Sequence, residues 1–340
     1  MSLENNLINW EMVREYSKQY GKIVPNVRFG KDAVVPDRTQ FAPSVNIQPK
    51  WNVPNKVMIN TTICGGFFSK DTNPNIPMTT EEIYQEARAI CLAGAPMIHV
   101  HVRDDNGYNT LDYDKFHAVL DPIKEEFPEV IIDGCLVANR PGYWEAMETC
   151  LKEKMFDISP VNCTANYAGD RVFAPYPYQI IEKCELLLKY GCKPHLAVFN
   201  DGDVDNAYRY LIATKLIEPP YDFGILPALP GCSSMNSPER MLEGLMRING
   251  LIHEAAPGAH VLTCCAGRAS SYLAVASFLL GMSVRVGMED TPWKWPHKDD
   301  LITSNAEMFT STREMAKLMG LELYTSQEYR EAMEIGRVGR

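Results

Sequence analysis

Short apolar runs recur along the chain, each followed by a longer stretch in which apolar positions fall three and four residues apart. The runs are 56–62 (KVMINTT), 96–102 (PMIHVHV), 129–135 (EVIIDGC), 155–161 (MFDISPV), 195–199 (HLAVF), 222–228 (DFGILPA), 259–265 (AHVLTCC) and 283–288 (SVRVGM). Runs of this length read as strands, and the stretches between them as amphipathic helices. The first helix is predicted to begin at Thr79-Thr80-Glu81-Glu82, a capping box. The others fall near 112–126, 141–154, 176–190, 203–217, 237–255, 269–280 and 299–319. Repeats of this kind, eight in about 265 residues, predict an α/β fold of the (β/α)8 TIM-barrel type, with active-site residues at the C-terminal ends of the strands. A doubly wound open sheet is the competing architecture, but no G-x-G-x-x-G follows the first strand. The barrel domain is expected over 51–335. Residues 1–50 show no βα pattern and are expected to be an N-terminal extension that covers the barrel or reaches a neighbouring subunit.

Composition narrows the function. The 340 residues carry 33 basic and 43 acidic side chains, a formal charge of -10, which opposes binding to nucleic acid. No apolar run approaches the roughly 18 residues of a membrane span, and Met1-Ser2-Leu3-Glu4-Asn5-Asn6 is no secretory signal, so a cytoplasmic location is expected. Ten cysteines with no C-x-x-C pair read as reduced thiols, and a metal would be held by other residues.

Alternation along a strand places His99 and His101 on one face and Ile98, Val100 and Val102 on the other, beneath the helices. In the eighth strand Arg285, Gly287 and Glu289 share the inward parity. Two readings of Glu289 stand: a salt bridge with Arg285, or a third ligand completing a two-histidine, one-glutamate set with an open position, as in catalytic zinc sites. Strands 2 and 8 flank strand 1 in a closed barrel, so the three can meet. Asn162 follows strand 4, where an asparagine in a loop can be a turn former. Arg268 could meet an anion or form a salt bridge. Trp293 and Trp295 could roof the site or pack a rigid structural loop, Lys294 and Lys298 could meet phosphate groups or stand as solvated surface lysines, and Cys264 and Cys265 read as core.

The segments NPNIPMTTEEI (73–83), AGAPMIHVHVRD (93–104), KPHLAVF (193–199), AGR (266–268), VRVGMED (284–290) and SNA (304–306) together resemble the beta-keto acid cleavage enzymes, over roughly residues 56–335. The resemblance implies a zinc-binding TIM barrel, with His99, His101 and Glu289 as ligands and Arg285 and Asp290 acting on the substrate, Asp290 as the base. It implies that a β-keto acid and acetyl-CoA become acetoacetate and a new CoA ester, in a homotetramer. Three positions depart from the family pattern. Phe67 or its neighbour stands where a glutamate is expected, Cys135 where a serine is, and the His195-Leu196-Ala197 segment contains no acid. Phe67, Cys135, Asn162 and His195 are therefore the candidate substrate contacts, and the tail they receive is expected to be non-cationic, an apolar or aromatic one first. Aldol cleavage or hydrolysis on the same metal, or a diverged binding protein, are the alternatives.

Overall fold

In the computed structural model, described over residues 7–22, 38–168, 170–227 and 237–336, eight parallel strands close into a barrel. They are β1 (Ile59–Thr62), β2 (Met97–Val100), β3 (Ile131–Gly134), β4 (Ile158–Asn162), β5 (Lys193–Val198), β6 (Asp222–Ile225), β7 (His260–Cys264) and β8 (Ser283–Gly287). Each pairs with its successor, and β8 pairs with β1 through Arg285 opposite Asn60. Every predicted strand has its counterpart. Ala228, Cys232 and parts of 1–50 lie outside the described residues.

The helices that cover the barrel are α1 (Thr80–Leu92), α2 (Tyr113–Glu126), α3 (Tyr143–Lys152), α4 (Pro177–Lys189), α5 (Asp201–Ala207), α6 (Pro238–Ala255), α7 (Ser270–Leu279) and α8 (Asn305–Leu318). The α1 capping box forms as predicted: Glu82 N–H donates to Thr79 Oγ1 at 3.2 Å and Thr79 N–H to Glu82 Oε2 at 3.0 Å. Its apolar stripe, Ile83, Ala87 and Ile90, is fully buried together with the outward residues Ile98 and Val100 of β2. Two helices differ from the prediction. The segment 203–217 breaks after Ala207 into a π-helical turn, Tyr208–Ile212. The last predicted helix starts at Asn305 rather than 299, where Ser304 Oγ accepts the Glu307 N–H, because the loop after β8 is pinned by a bridge between Trp293 and Leu301.

Two features escaped the hydrophobic pattern. Short hairpins rise at the C-terminal ends of the strands, Val102–Arg103 with Asn109–Thr110 after β2 and Asn166–Ala168 with Arg171–Phe173 after β4. At the opposite end α9 (Ser326–Met333) brings Tyr329 and Met333 against Met58, Met97, Ile131 and Ile158, which gives the barrel an apolar floor. Burying side chains of this size stabilises by about 1.5–3 kcal/mol each.

Residues 1–53 and 54–340 form two compact units. The first holds a helix, Trp10–Tyr20, capped by Asn9, and a hairpin of Arg38–Thr39 with Ala42–Asn46; the Tyr16 ring stands edge-on to Phe41 at 5.4 Å. Neither element is predicted by the sequence pattern. No helix among the described residues is long and apolar enough to cross a membrane.

Candidate active site

The parity argument places His99 and His101 inside the barrel, and both are buried there. His99 Nδ1 lies 2.7 Å from Asp133 Oδ2 on the neighbouring β3, and Nε2 faces His101 Nε2 at 3.2 Å. Glu289, just beyond β8, sets Oε1 3.4 Å from the first of these nitrogens and 3.2 Å from the second. An imidazole that donates its Nδ1 proton to a carboxylate presents a lone pair at Nε2. For His101 the partner is the Asn109 amide, 2.9 Å from Nδ1, whose Oδ1 is buried and unpaired. Turning that amide over lets Oδ1 accept the Nδ1–H and gives His101 the same tautomer as His99.

Two lone pairs and a carboxylate oxygen then converge on one point. Glu289 Oε2, also buried, has no hydrogen-bond partner. Converging acceptors beside an orphaned carboxylate oxygen are satisfied by a cation, so these residues fit a divalent metal. Cys135 joins them: its Sγ and the histidine nitrogens lie within 4.8 Å of one another. Burial disfavours the thiolate, but when His101 and His99 are protonated their charges outweigh it and bring Cys135 down to about 6. The same burial opposes a charged ring on His99, yet Asp133 and Glu289 raise its proton affinity well above the ordinary value. Cys135, expected to touch substrate, thus also stands beside the two histidines as a candidate metal donor.

Both readings of Glu289 have a counterpart in the geometry. The Arg285 guanidinium grips Asp290 with both arms, Nε to Oδ2 at 3.0 Å and Nη2 to Oδ1 at 2.5 Å, and also pairs with Glu289 Oε1 at 3.4 Å, the distance at which Glu289 meets His99. Glu289 is turned toward the histidines. Asp290 is completely buried, and burial, aided by the charge of Glu289, raises its proton affinity against the pull of Arg285.

Loop packing holds Glu289 in place. Gly65, after β1, has φ +52°, and a Cβ there would fall 2.0 Å from Glu289 Cγ, so the position requires glycine on both counts. The buried Asn305 accepts the Met288 N–H at 2.7 Å and donates to Ile63 O at 2.9 Å, tying the loops after β8 and β1 together. Asn305→Ala strands two buried backbone groups and is expected to lower stability by about 2–5 kcal/mol, read from the denaturant midpoint.

Above the cluster opens a cavity of about 440 Å³. Phe67, Phe68, Phe173, Phe199 and Leu226 give it apolar walls, and Asn162, Arg171, His195 and Arg285 its polar ones. All four candidate substrate contacts, Phe67, Cys135, Asn162 and His195, line it; Asp290 does not. Nor do Trp293 and Trp295 roof it. Arg268 lies over the Trp293 ring at 3.8 Å and pairs with Asp299 at 2.6 Å, the salt-bridge alternative, and Lys294 pairs with Glu307. Cys264 and Cys265 are buried in the core, where burial pushes both thiols well up.

Sequence reasoning missed Asp133, Asn60 and Asn109. Asn60 Nδ2 donates to Asp133 Oδ2 at 2.8 Å, which fixes the carboxylate that orients His99. The signal for Asp133 was present: in IIDGC it shares inward parity with Cys135. Asn109 comes from a hairpin that no periodicity announced.

The family model of the beta-keto acid cleavage enzymes matches residues 56–335. The 3-keto-5-aminohexanoate cleavage enzyme of Fusobacterium nucleatum subsp. nucleatum is 30% identical over 281 residues, 82% of this chain and 98% of its own. The 3-oxoadipate:acetyl-CoA acetyltransferase of Cupriavidus necator is 25% identical over 276 residues, 80% of this chain and 93% of its own. Among solved structures, the apo structure of ObcA superposes with a TM-score of 0.65 at 18% identity, covering 78% of this chain and 66% of that one, a likeness of fold. The extent of these matches makes the chain a member of the beta-keto acid cleavage enzyme family.

Proposed function

We propose that the chain is a zinc-dependent transferase that acts on a non-cationic β-keto acid and acetyl-CoA, releasing acetoacetate and the CoA ester of the remaining fragment. The observation that carries this reading is the convergence of His99 Nε2, His101 Nε2 and Glu289 Oε1, with Cys135 beside them, beneath a cavity of small-molecule size. Imidazole, carboxylate and thiolate donors together suit zinc. These residues would hold a divalent ion, which would supply Lewis-acid stabilisation of negative charge developing on a β-keto acid. The part played by acetyl-CoA is supported by the name of the Cupriavidus relative.

The remaining work falls to Arg285 and Asp290. Arg285 stands in the cavity wall and offers its guanidinium to developing oxyanions. Asp290 lies behind it, with a raised proton affinity suited to taking a proton from the carbon between the two carbonyls. When Arg285 turns to the anionic substrate, its grip on Asp290 loosens and the carboxylate becomes the base. Phe67 and the other aromatics of the wall give the substrate an apolar surface to pack against. The reading carries with it a homotetramer, as the family resemblance implies, and a location in the cytoplasm.

The test is a panel of β-keto acids matched in length and differing in tail charge, assayed with acetyl-CoA for acetoacetate and for a new CoA ester. Non-cationic tails are expected to exceed an ammonium tail at least tenfold in kcat/KM, about 1.4 kcal/mol, and Phe67→Glu to narrow that ratio. A panel yielding no acetoacetate defeats the reaction assignment; preference for the ammonium tail defeats the substrate assignment.

A further inference from the structure

Behind the cavity wall, side chains of four strands and α9 make one hydrogen-bonded network. His195 Nδ1 is 2.8 Å from Asp222 Oδ2, and Asp222 Oδ1 is 2.9 Å from His260 Nδ1. His260 Nε2 lies 2.7 Å from Ser283 Oγ. The Tyr329 hydroxyl is 3.0 Å from His260 Nδ1 and donates to Asp222 Oδ1 at 3.4 Å.

Ser283 Oγ accepts the Met58 N–H at 2.8 Å and also meets His260 Nε2, so the hydroxyl anchors the far side of that ring. Both Asp222 oxygens receive hydrogen bonds, and although burial favours the protonated acid, His195 and His260 hold the group well below the usual carboxylate range. A fixed negative charge in the barrel interior needs a positive partner. His195, whose Nδ1 faces Asp222 Oδ2 while its ring borders the cavity, is placed to supply it. Around that ring, Asp222 on β6 and Asp133 on β3 favour the charged form and Arg285 on β8 opposes it; burial, the largest influence, also opposes it, yet the net direction is upward.

His195 Nε2 has no protein partner among the described residues, and the residue lines the cavity. Space for it comes from Gly224, where a Cβ would lie 2.1 Å from Nε2. Arg171, on the hairpin after β4, adds a second cation to the same wall, exposed and with no ion pair among the described residues. The carboxylate that lines the cavity, Glu289, is turned to the histidines.

We propose that His195, held as a cation over Asp222, reads the substrate tail and selects β-keto acids whose tail ends in a carboxylate. The proposal rests on the β-keto acid reading and narrows its non-cationic tail to an anionic one. It displaces the apolar or aromatic tail that the sequence put first.

The experiment compares kcat/KM for β-keto acids of one length with carboxylate and methyl tails, between pH 6 and 10, for the metal-loaded wild type, His195→Gln and Asp222→Asn. In the wild type the carboxylate tail is expected to be preferred at least tenfold, and the preference to fall as pH rises and the ring loses its proton. His195→Gln keeps an N–H donor without the charge; its preference is expected to drop below threefold and to ignore pH. Asp222→Asn is expected to move the loss of preference to lower pH, because the anion that retains the proton is gone. His195→Asn replaces the glutamine variant if that one does not fold. A wild type that favours the methyl tail, or variants that lower both tails by one factor with an unmoved pH profile, overturns the proposal. Calorimetric titration with glutarate separates it from the reaction assignment. Tenfold tighter glutarate binding by wild type than by His195→Gln supports the cationic wall even if no β-keto acid is turned over, and equal binding defeats it even if one is.

Discussion

His99→Ala is expected to purify with less than a tenth of the wild-type divalent metal and to lose turnover at least a thousandfold. Three donors converge at 3.2–3.4 Å around one point, and deleting one imidazole also releases Asp133, which would be left buried with an unmatched charge. Glu289→Gln keeps the shape of the third donor and removes its charge, so it should deplete the metal by a smaller factor. Cys135→Ser then tells three ligands from four: metal content falls if the thiolate binds and holds if it only borders the site. Elemental analysis of the purified variants is the measurement. Equal metal in wild type, His99→Ala and Glu289→Gln would overturn the ligand assignment.

Asp290→Asn should keep its metal and lose turnover by a factor of about 10²–10⁴, the range for a general base. The amide can still accept a hydrogen bond from Arg285 at the same position, so the site's shape is largely preserved while the capacity to take a proton is removed. The pH profile distinguishes a base from a prop for Arg285. A base must be deprotonated, so wild-type kcat should fall as pH drops through the raised pKa of Asp290, and the residual activity of the variant should lack that acid limb. A full rate in Asp290→Asn, or an acid limb unchanged in the variant, removes Asp290 from this role.

The barrel was legible because its strands obey a period of two with chemistry on one parity: Ile98 and Val100 under the helices, His99 and His101 inside. The same rule located Arg285 and Glu289, and applied to β3 it would have located Asp133. What it could not give was contact between elements distant in sequence. Asp222 opens its strand as an ordinary inward acid, and nothing in DFGILPA says that His195, His260 and Tyr329 gather around it. Asn109 and Arg171 reach the cavity from hairpins too short to carry a periodic signal. Parity paired Arg285 with Glu289, yet the two-armed contact is with Asp290, one residue on, a choice made by side-chain geometry.

Tyr329 belongs both to the apolar floor and to the network around Asp222. It arrives on α9, which follows all eight strands in the chain, so the last helix supplies both an apolar plug for the floor and a neutral donor to Asp222 beneath His195. A chain cut before Ser326 would lose both at once, and the barrel's closure and its buried anion are in this way tied to one C-terminal side chain.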